Sequence, residues 1–77
     1  MHFDSLQQIK DAKWVGNHMS DRPVFDAIDR FVRSDAPQAD RAEALRIATR
    51  NGMGYEPDPQ TDEEVLAEYF RYEHHYS

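Results

Sequence analysis

The spacing of apolar residues along the chain predicts helices throughout and shows no strand pattern. The clearest stretch has apolar side chains at i, i+1, i+4, i+7 and i+8, one continuous stripe on a helix: Val24, Phe25, Ile28, Phe31 and Val32. Asp21 is expected to cap this helix, and Pro23 lies in its first turn, where the missing N–H costs nothing. The polar side places acids four residues before bases, which predicts two ion pairs: Asp26–Arg30 and Asp29–Arg33.

Two further helices are predicted on either side of this segment. The first begins at Asp4 as N-cap and ends at Gly16-Asn17, with one apolar side formed by Leu6, Ile9, Ala12 and Val15. The third begins near Asp35-Ala36-Pro37-Gln38 and ends at Asn51-Gly52. Its buried side is expected to consist mostly of small residues, which let a neighbouring helix come close: Ala39, Ala42, Ala44, Leu45, Ile47 and Ala48.

A fourth helix is predicted after a proline-containing loop over residues 53–60. Thr61 and Glu64 form a capping box, and an apolar side follows: Val65, Leu66, Tyr69, Phe70, Tyr72 and Tyr76. The four segments together predict an all-α fold in one domain over residues 1–77, a small compact bundle of about four helices. We expect the second helix to be central, with the third packed beside it.

Size and composition limit the other possibilities. The chain has 77 residues, no cysteine and 12% aromatic residues, which indicates a thin but folded core without disulfides or thiolate-bound zinc. Absence of cysteine fits a reducing cytoplasm, which is the localisation that we expect. No apolar run approaches the roughly 18 residues that cross a bilayer, and the N-terminus lacks the pattern of a signal peptide.

All of the net charge lies in the last 22 residues. Eight acids balance eight bases up to residue 55, whereas residues 56–77 contain seven acids and one base, which accounts for the formal charge of −6. We expect this acidic end to dock on a basic surface of a protein partner, with Tyr69 or Tyr72 as the anchor. The predicted partner-binding residues are Glu56, Asp58, Asp62, Glu63, Glu64, Glu68, Tyr69, Tyr72 and Glu73.

A second interpretation of the same acids is that they are only solvated. Acids in a first helical turn complement the helix dipole by about 0.3–1 kcal/mol each, which accounts for part of the set. The helix-dipole effect does not account for Glu64 and Glu68, which form a like-charge pair at i,i+4. Nor does it account for Glu73, which lies near a helix C-terminus.

Catalytic and metal sites are not predicted. The chain has no cysteine nucleophile and no glycine-rich phosphate loop, and its adjacent His74 and His75 point about 100° apart on a helix. The segment from Asp58 to Asp62 lacks the glycine of a calcium loop. We therefore expect no enzymatic activity, no cofactor and no bound metal.

In size and charge the chain resembles anti-CRISPR and other anti-defence proteins of phages and mobile elements; no sequence motif carries this resemblance. It implies an inhibitor that occludes a basic nucleic-acid-binding surface of a protein partner. Direct binding to nucleic acid or to a membrane is not expected, because the chain is acidic.

Two alternatives remain open. The second and third helices are compatible with a helix-turn-helix in a DNA-binding regulator or antitoxin subunit, with these exposed readers: Gln38, Arg41, Arg46, Thr49 and Arg50. The other alternative is a structural or assembly subunit in which the aromatic C-terminal helix forms a homodimer, with Tyr72 and Tyr76 at the contact.

Overall fold

The computed structural model describes residues 1–17, 19–52 and 61–72, the last of these without its side chain. Four helices follow one another along this part of the chain: α1 Leu6–Asp11, α2 Arg22–Val32, α3 Gln38–Arg50 and α4 Asp62–Tyr72. The prediction of a small all-α bundle is confirmed. The predicted loop over residues 53–60 lies outside the described residues.

The central helix is α3, and the prediction that the second helix would be central is wrong. α3 packs against α1, α2 and α4. At 100° per residue, its buried positions cover roughly 220° of the helix circumference, far more than the stripe of a helix with one packed face. Small side chains at most of these positions allow three neighbours to approach closely: Ala42, Ala44, Leu45, Ile47 and Ala48.

α2 has the predicted stripe, and all five of its apolar residues are buried. On its polar side the Arg33 Nε lies 2.9 Å from the Asp29 Oδ2, so this ion pair is confirmed. Arg30 behaves differently, because its Nη2 donates over 2.7 Å to the carbonyl oxygen of Met1. The structure shows no Asp26–Arg30 pair in the described part of the chain, and Arg30 instead holds the N-terminal segment against α2.

α1 is shorter than predicted. Ser5, rather than Asp4, is its N-cap, and the backbone becomes extended at Ala12. Beyond this point the side chains follow an extended chain, so Val15 is 72% exposed instead of lying on the buried side. Trp14 packs on Phe25 with ring centroids 5.3 Å apart.

The connection between α1 and α2 is closed by Asp21, the one charged residue that is buried in the described ranges. Its Oδ1 accepts from the Val15 N–H over 2.9 Å and its Oδ2 from the Gly16 N–H over 3.0 Å. Gly16 has a φ of +87°, a left-handed conformation that glycine adopts without strain. Asp21 therefore precedes α2 as predicted, but its side chain holds the preceding loop and makes no capping bond to the helix.

The two ends of α3 differ in how well the sequence predicted them. The helix begins after Pro37 without a side-chain cap, and Ala39 is exposed rather than buried. Its predicted end at Asn51-Gly52 is confirmed, with Gly52 at a φ of +99°. Half-buried Arg41 reaches back to α2, donating from Nε to the Ala36 carbonyl over 2.9 Å and from Nη1 to the Val32 carbonyl over 3.2 Å.

Candidate protein-binding surface on α4

The predicted partner-binding residues can be located in part. Tyr72 is the last described residue of α4, and its side chain lies outside the description, as do Glu56, Asp58 and Glu73. The predicted residues whose side chains are described all lie on α4: Asp62, Glu63, Glu64, Glu68 and Tyr69. The geometry of the candidate site is therefore that of α4.

α4 is fixed to the bundle by its apolar side and by its N-terminal cap. Val65 and Leu66 are buried, 1% and 5% exposed, in the hydrophobic core around α3. At the start of the helix the Glu64 N–H donates to the Thr61 Oγ1 over 3.1 Å, and the Thr61 hydroxyl lies 3.0 Å from the Glu64 Oε1. The predicted Thr61–Glu64 capping interaction is thus present. The polar side chains of α4 consequently project from a well-anchored helix.

Asp62 forms an ion pair within the chain. Its Oδ1 lies 2.9 Å from the Arg46 Nη2 on α3, and Arg46 also reaches the Glu43 Oε2 at 3.6 Å. All three side chains are about one-third exposed, so the cluster is partly screened by solvent. Asp62 therefore contributes to the contact between α3 and α4, and it shares the Arg46 guanidinium with Glu43.

Glu68 also has a cation beside it. The Arg71 Nη2 forms an ion pair with the Glu68 Oε2 one turn later on α4. This pair offsets the like-charge repulsion between Glu64 and Glu68, which the sequence pattern alone left unexplained. The negative charge of Glu68 is therefore partly compensated on the surface of the same helix.

Tyr69 contributes to the fold rather than projecting freely. It is half-buried, its hydroxyl donates to the Asp29 carboxylate on α2, and its ring meets Phe70 edge-on at 5.7 Å between centroids. Arg33 lies over the Phe70 ring, with its Cζ 5.8 Å from the centroid. The position of Tyr69 on the apolar side of α4 indicated from sequence that it packs on the fold. Its hydrogen bond to Asp29, forty residues away, could not be foreseen from the sequence.

Two carboxylates remain available at the first turn of α4. Glu63 and Glu64 are exposed, and the described part of the chain gives neither of them a cationic partner. We call these two residues the acidic tip. The partial positive charge at the N-terminal end of a helix favours carboxylates in this turn, and the Glu64 carboxylate also lies within hydrogen-bond distance of the Thr61 hydroxyl.

The residues of the helix-turn-helix alternative are largely engaged inside the chain. Arg41 donates to two carbonyls of the α2–α3 connection, and Arg46 pairs with Glu43 and Asp62. The Thr49 hydroxyl donates to the Arg46 carbonyl over 2.9 Å, and Arg50 lies 3.2 Å from Glu43. These four side chains are therefore occupied by contacts within the chain, whereas Gln38 at the start of α3 is exposed.

Metal ligation and membrane insertion have no support among the described residues. They contain no group of three or more histidine, cysteine, aspartate or glutamate side chains placed to hold a metal ion. His74 and His75, weighed as a weak metal site from sequence, lie outside the described ranges. None of the helices described is both long enough and apolar enough to traverse a bilayer.

Comparison of the chain with protein-family models, with curated proteins and with solved structures finds no match.

Proposed function

We propose that the protein is a non-enzymatic binding module that docks the acidic tip of α4 on a basic surface of a protein partner. The observation that carries this proposal is the exposure of Glu63 and Glu64 without a cationic partner among the described residues, at the start of a firmly held helix. Carboxylates presented in this way form charge-assisted hydrogen bonds with lysine and arginine.

The anchoring of α4 favours such a contact. Burial of Val65 and Leu66, the Asp62–Arg46 ion pair and the Thr61 cap fix the helix before a partner arrives. Little backbone entropy is then lost on binding, so more of the interaction energy contributes to affinity. The acidic tip belongs to the 22-residue end that contains the full net charge of −6, and this field steers a basic partner toward it.

The partner class follows from the chemistry of the tip. Lysine and arginine side chains that bind phosphates also bind carboxylates, so a nucleic-acid-binding protein presents a suitable surface. By occupying that surface the module would exclude the nucleic acid. The module would then act as an inhibitor of the anti-CRISPR or anti-defence kind. Tyr69 is not part of this contact, since its hydroxyl is committed to Asp29.

The test compares two variants with equal loss of charge. Glu63→Gln/Glu64→Gln removes the acidic tip and keeps a capping side chain at residue 64, whereas Asp26→Asn/Asp35→Asn removes two exposed acids on α2 and the α2–α3 connection. Immobilised wild-type and variant chains are exposed to a bacterial lysate at low and high salt. Retained proteins are then identified and assayed for nucleic-acid binding.

The proposal predicts a retained protein whose nucleic-acid binding is inhibited by the wild-type chain and by Asp26→Asn/Asp35→Asn. The affinity of this retained protein for the chain should fall roughly tenfold when the chain has Glu63→Gln/Glu64→Gln. The affinity should also fall steeply as the salt concentration rises. Equal retention by both variants, or binding that salt does not weaken, contradicts the proposal. A mobility shift of duplex DNA by the chain itself would favour the DNA-binding alternative instead, and concentration-dependent sedimentation would reveal a homodimer.

A further inference from the structure

The α3 helix is closed at its C-terminal end by the dipeptide Asn51-Gly52. Asn51 is the C-cap, and its Nδ2 donates over 2.8 Å to the carbonyl oxygen of Ile47. Gly52 follows in a left-handed conformation, with a φ of +99°, and its N–H donates to the Thr49 carbonyl over 3.3 Å. Carbonyls in the last turn of a helix have no partner within the helix, so these two bonds satisfy acceptors that the helix leaves open.

The same two residues are a chemically reactive pair. When the backbone nitrogen of Gly52 attacks the side-chain Cγ of Asn51, a new N–C bond closes a succinimide ring and the bond from Cγ to Nδ2 breaks. The nitrogen of Gly52 gives up its proton, and the side-chain nitrogen leaves as ammonia. Water then adds to one of the two ring carbonyls and opens the ring to aspartate or isoaspartate. Gly52 is exposed, and a glycine obstructs this attack least because it has no Cβ beside its nitrogen.

The folded end of α3 keeps the two reacting atoms apart. Ring closure requires the Gly52 nitrogen to eclipse the Asn51 Cβ across the Cα–C bond. Asn51 has a ψ of 17°, which places this nitrogen on the far side of that bond from the Cβ. The attack therefore requires the last turn of α3 to open first, and helix ends open more readily than the centres of packed helices.

We propose that Asn51 is a deamidation site whose reaction rate is controlled by opening of the last turn of α3. The reaction is independent of the acidic tip and of any binding partner. Deamidation replaces the Nδ2 donor by a carboxylate oxygen that faces the Ile47 carbonyl, and it places a negative charge where the helix dipole disfavours one. Because α3 contacts each of the other three helices, the modified chain has a weaker bundle.

The other asparagine of the chain, Asn17, provides an internal reference. It is followed in sequence by His18, and a residue with a Cβ hinders attack by its own nitrogen. The Asn17 Oδ1 accepts from the Met19 N–H over 2.9 Å and from the Ser20 N–H over 3.2 Å, so an aspartate at this position keeps both bonds. Deamidation is therefore expected at Asn51 in preference to Asn17.

The test incubates the full chain at mildly alkaline pH, in native buffer and in guanidinium chloride. Peptide mapping by mass spectrometry locates the exchange of NH₂ for OH. Asn51 should react before Asn17 in the denaturant, and its reaction should be about tenfold slower or more in native buffer. An unmodified Asn51 in the denaturant, faster reaction of Asn17, or equal rates in the two solvents would each overturn the proposal.

Two matched pairs of variants locate the opening that permits the reaction. Arg50→Gly and Arg50→Ala both remove the exposed Arg50 side chain and its ion pair with Glu43, and they differ in helix propensity at the last turn of α3. In native buffer Asn51 should react about fivefold faster with Arg50→Gly than with Arg50→Ala, and in the denaturant the two rates should be equal.

Arg30→Gly and Arg30→Ala make the same change at an exposed position of α2. Their Asn51 rates in native buffer should agree within about twofold, because the end of α3 is untouched. A difference as large as that of the Arg50 pair would mean that global unfolding, and not the last turn of α3, controls the reaction.

The effect of the modification on the fold is measured with Asn51→Asp, which has the side chain of one deamidation product. Its midpoint of urea unfolding should be lower than that of the wild-type chain, since the bond to Ile47 is lost. Asn17→Asp adds the same charge but keeps both acceptor bonds, so its midpoint should fall less. An equal or smaller fall for Asn51→Asp would contradict the closing role of the Asn51 side chain.

Discussion

The carboxylate of Asp21 accepts a 2.9 Å hydrogen bond from the backbone N–H of Val15, six residues earlier in the chain. Together with its bond to Gly16, this contact provides Asp21 with two backbone donors in place of water. Burying a carboxylate is unfavourable unless such partners are present. Asp21 therefore couples the conformation of the α1–α2 loop to the start of α2.

We predict that Asp21→Asn destabilises the fold by about 1–3 kcal/mol. An asparagine side chain has a single acceptor oxygen, so its NH₂ group would face one of the two backbone donors and leave that N–H without its acceptor. The free energy of unfolding, measured by urea denaturation with circular dichroism, checks this expectation.

The control for Asp21→Asn is Asp26→Asn, the same substitution at an exposed position of α2. It should change the free energy of unfolding by less than about 0.5 kcal/mol. If the two variants are equally stable, the buried carboxylate does not hold the loop.

A second prediction concerns the central position of α3. Ala44 is fully buried and Ala39 is exposed on the same helix, so alanine-to-leucine substitutions at the two sites differ only in surroundings. Ala44→Leu should destabilise the protein by about 1–3 kcal/mol, because the added atoms force neighbouring helices apart. Ala39→Leu should change stability by less than about 0.5 kcal/mol. Thermal unfolding of both variants would show the contrast, and tolerance of leucine at residue 44 would exclude close packing there.

A third prediction concerns Arg41, whose guanidinium satisfies carbonyl oxygens at the end of α2 and in the following turn. Removal of the side chain leaves these partly buried acceptors without a charged donor, so Arg41→Ala should cost about 1–2 kcal/mol of unfolding free energy. Arg50→Ala removes an exposed arginine from an ion pair with Glu43 and should cost less than about 0.5 kcal/mol. Equal losses in a urea titration would mean that the α2 contacts of Arg41 contribute nothing beyond a surface ion pair.

Local sequence signals predicted the helices well where periodicity and caps agreed. The stripe from Val24 to Val32 and the glycine-terminated end of α3 at Gly52 appear as expected. The end of α1 did not, because Trp14 packing on Phe25 and Asp21 bonding to Val15 draw residues 12–16 out of the helical path. Both are tertiary contacts, and tertiary contacts override local propensity.

The candidate site shows the same difference between features that local sequence signals predict and features that depend on tertiary contacts. Exposure of Glu63 and Glu64 followed from their place in the first turn of an amphipathic helix. The engagement of Asp62 by Arg46 and of Tyr69 by Asp29 joins different helices, so no spacing along the chain could indicate it. The central role of α3 was missed for a related reason: small residues around most of a helix predict close neighbours, but not how many.

The last prediction concerns the contact between Tyr69 and Asp29, which ties α4 to α2. Tyr69→Phe removes the hydroxyl and keeps the ring, so it should lower the free energy of unfolding by about 0.5–1.5 kcal/mol. Asp29→Asn should also destabilise, because it weakens the bonds from both Tyr69 and Arg33. In the double variant the losses should be less than additive, since both changes remove one shared interaction, and urea denaturation of the four proteins measures the coupling. Strict additivity would show that the two side chains do not interact in solution and that α4 is held to α2 by other contacts.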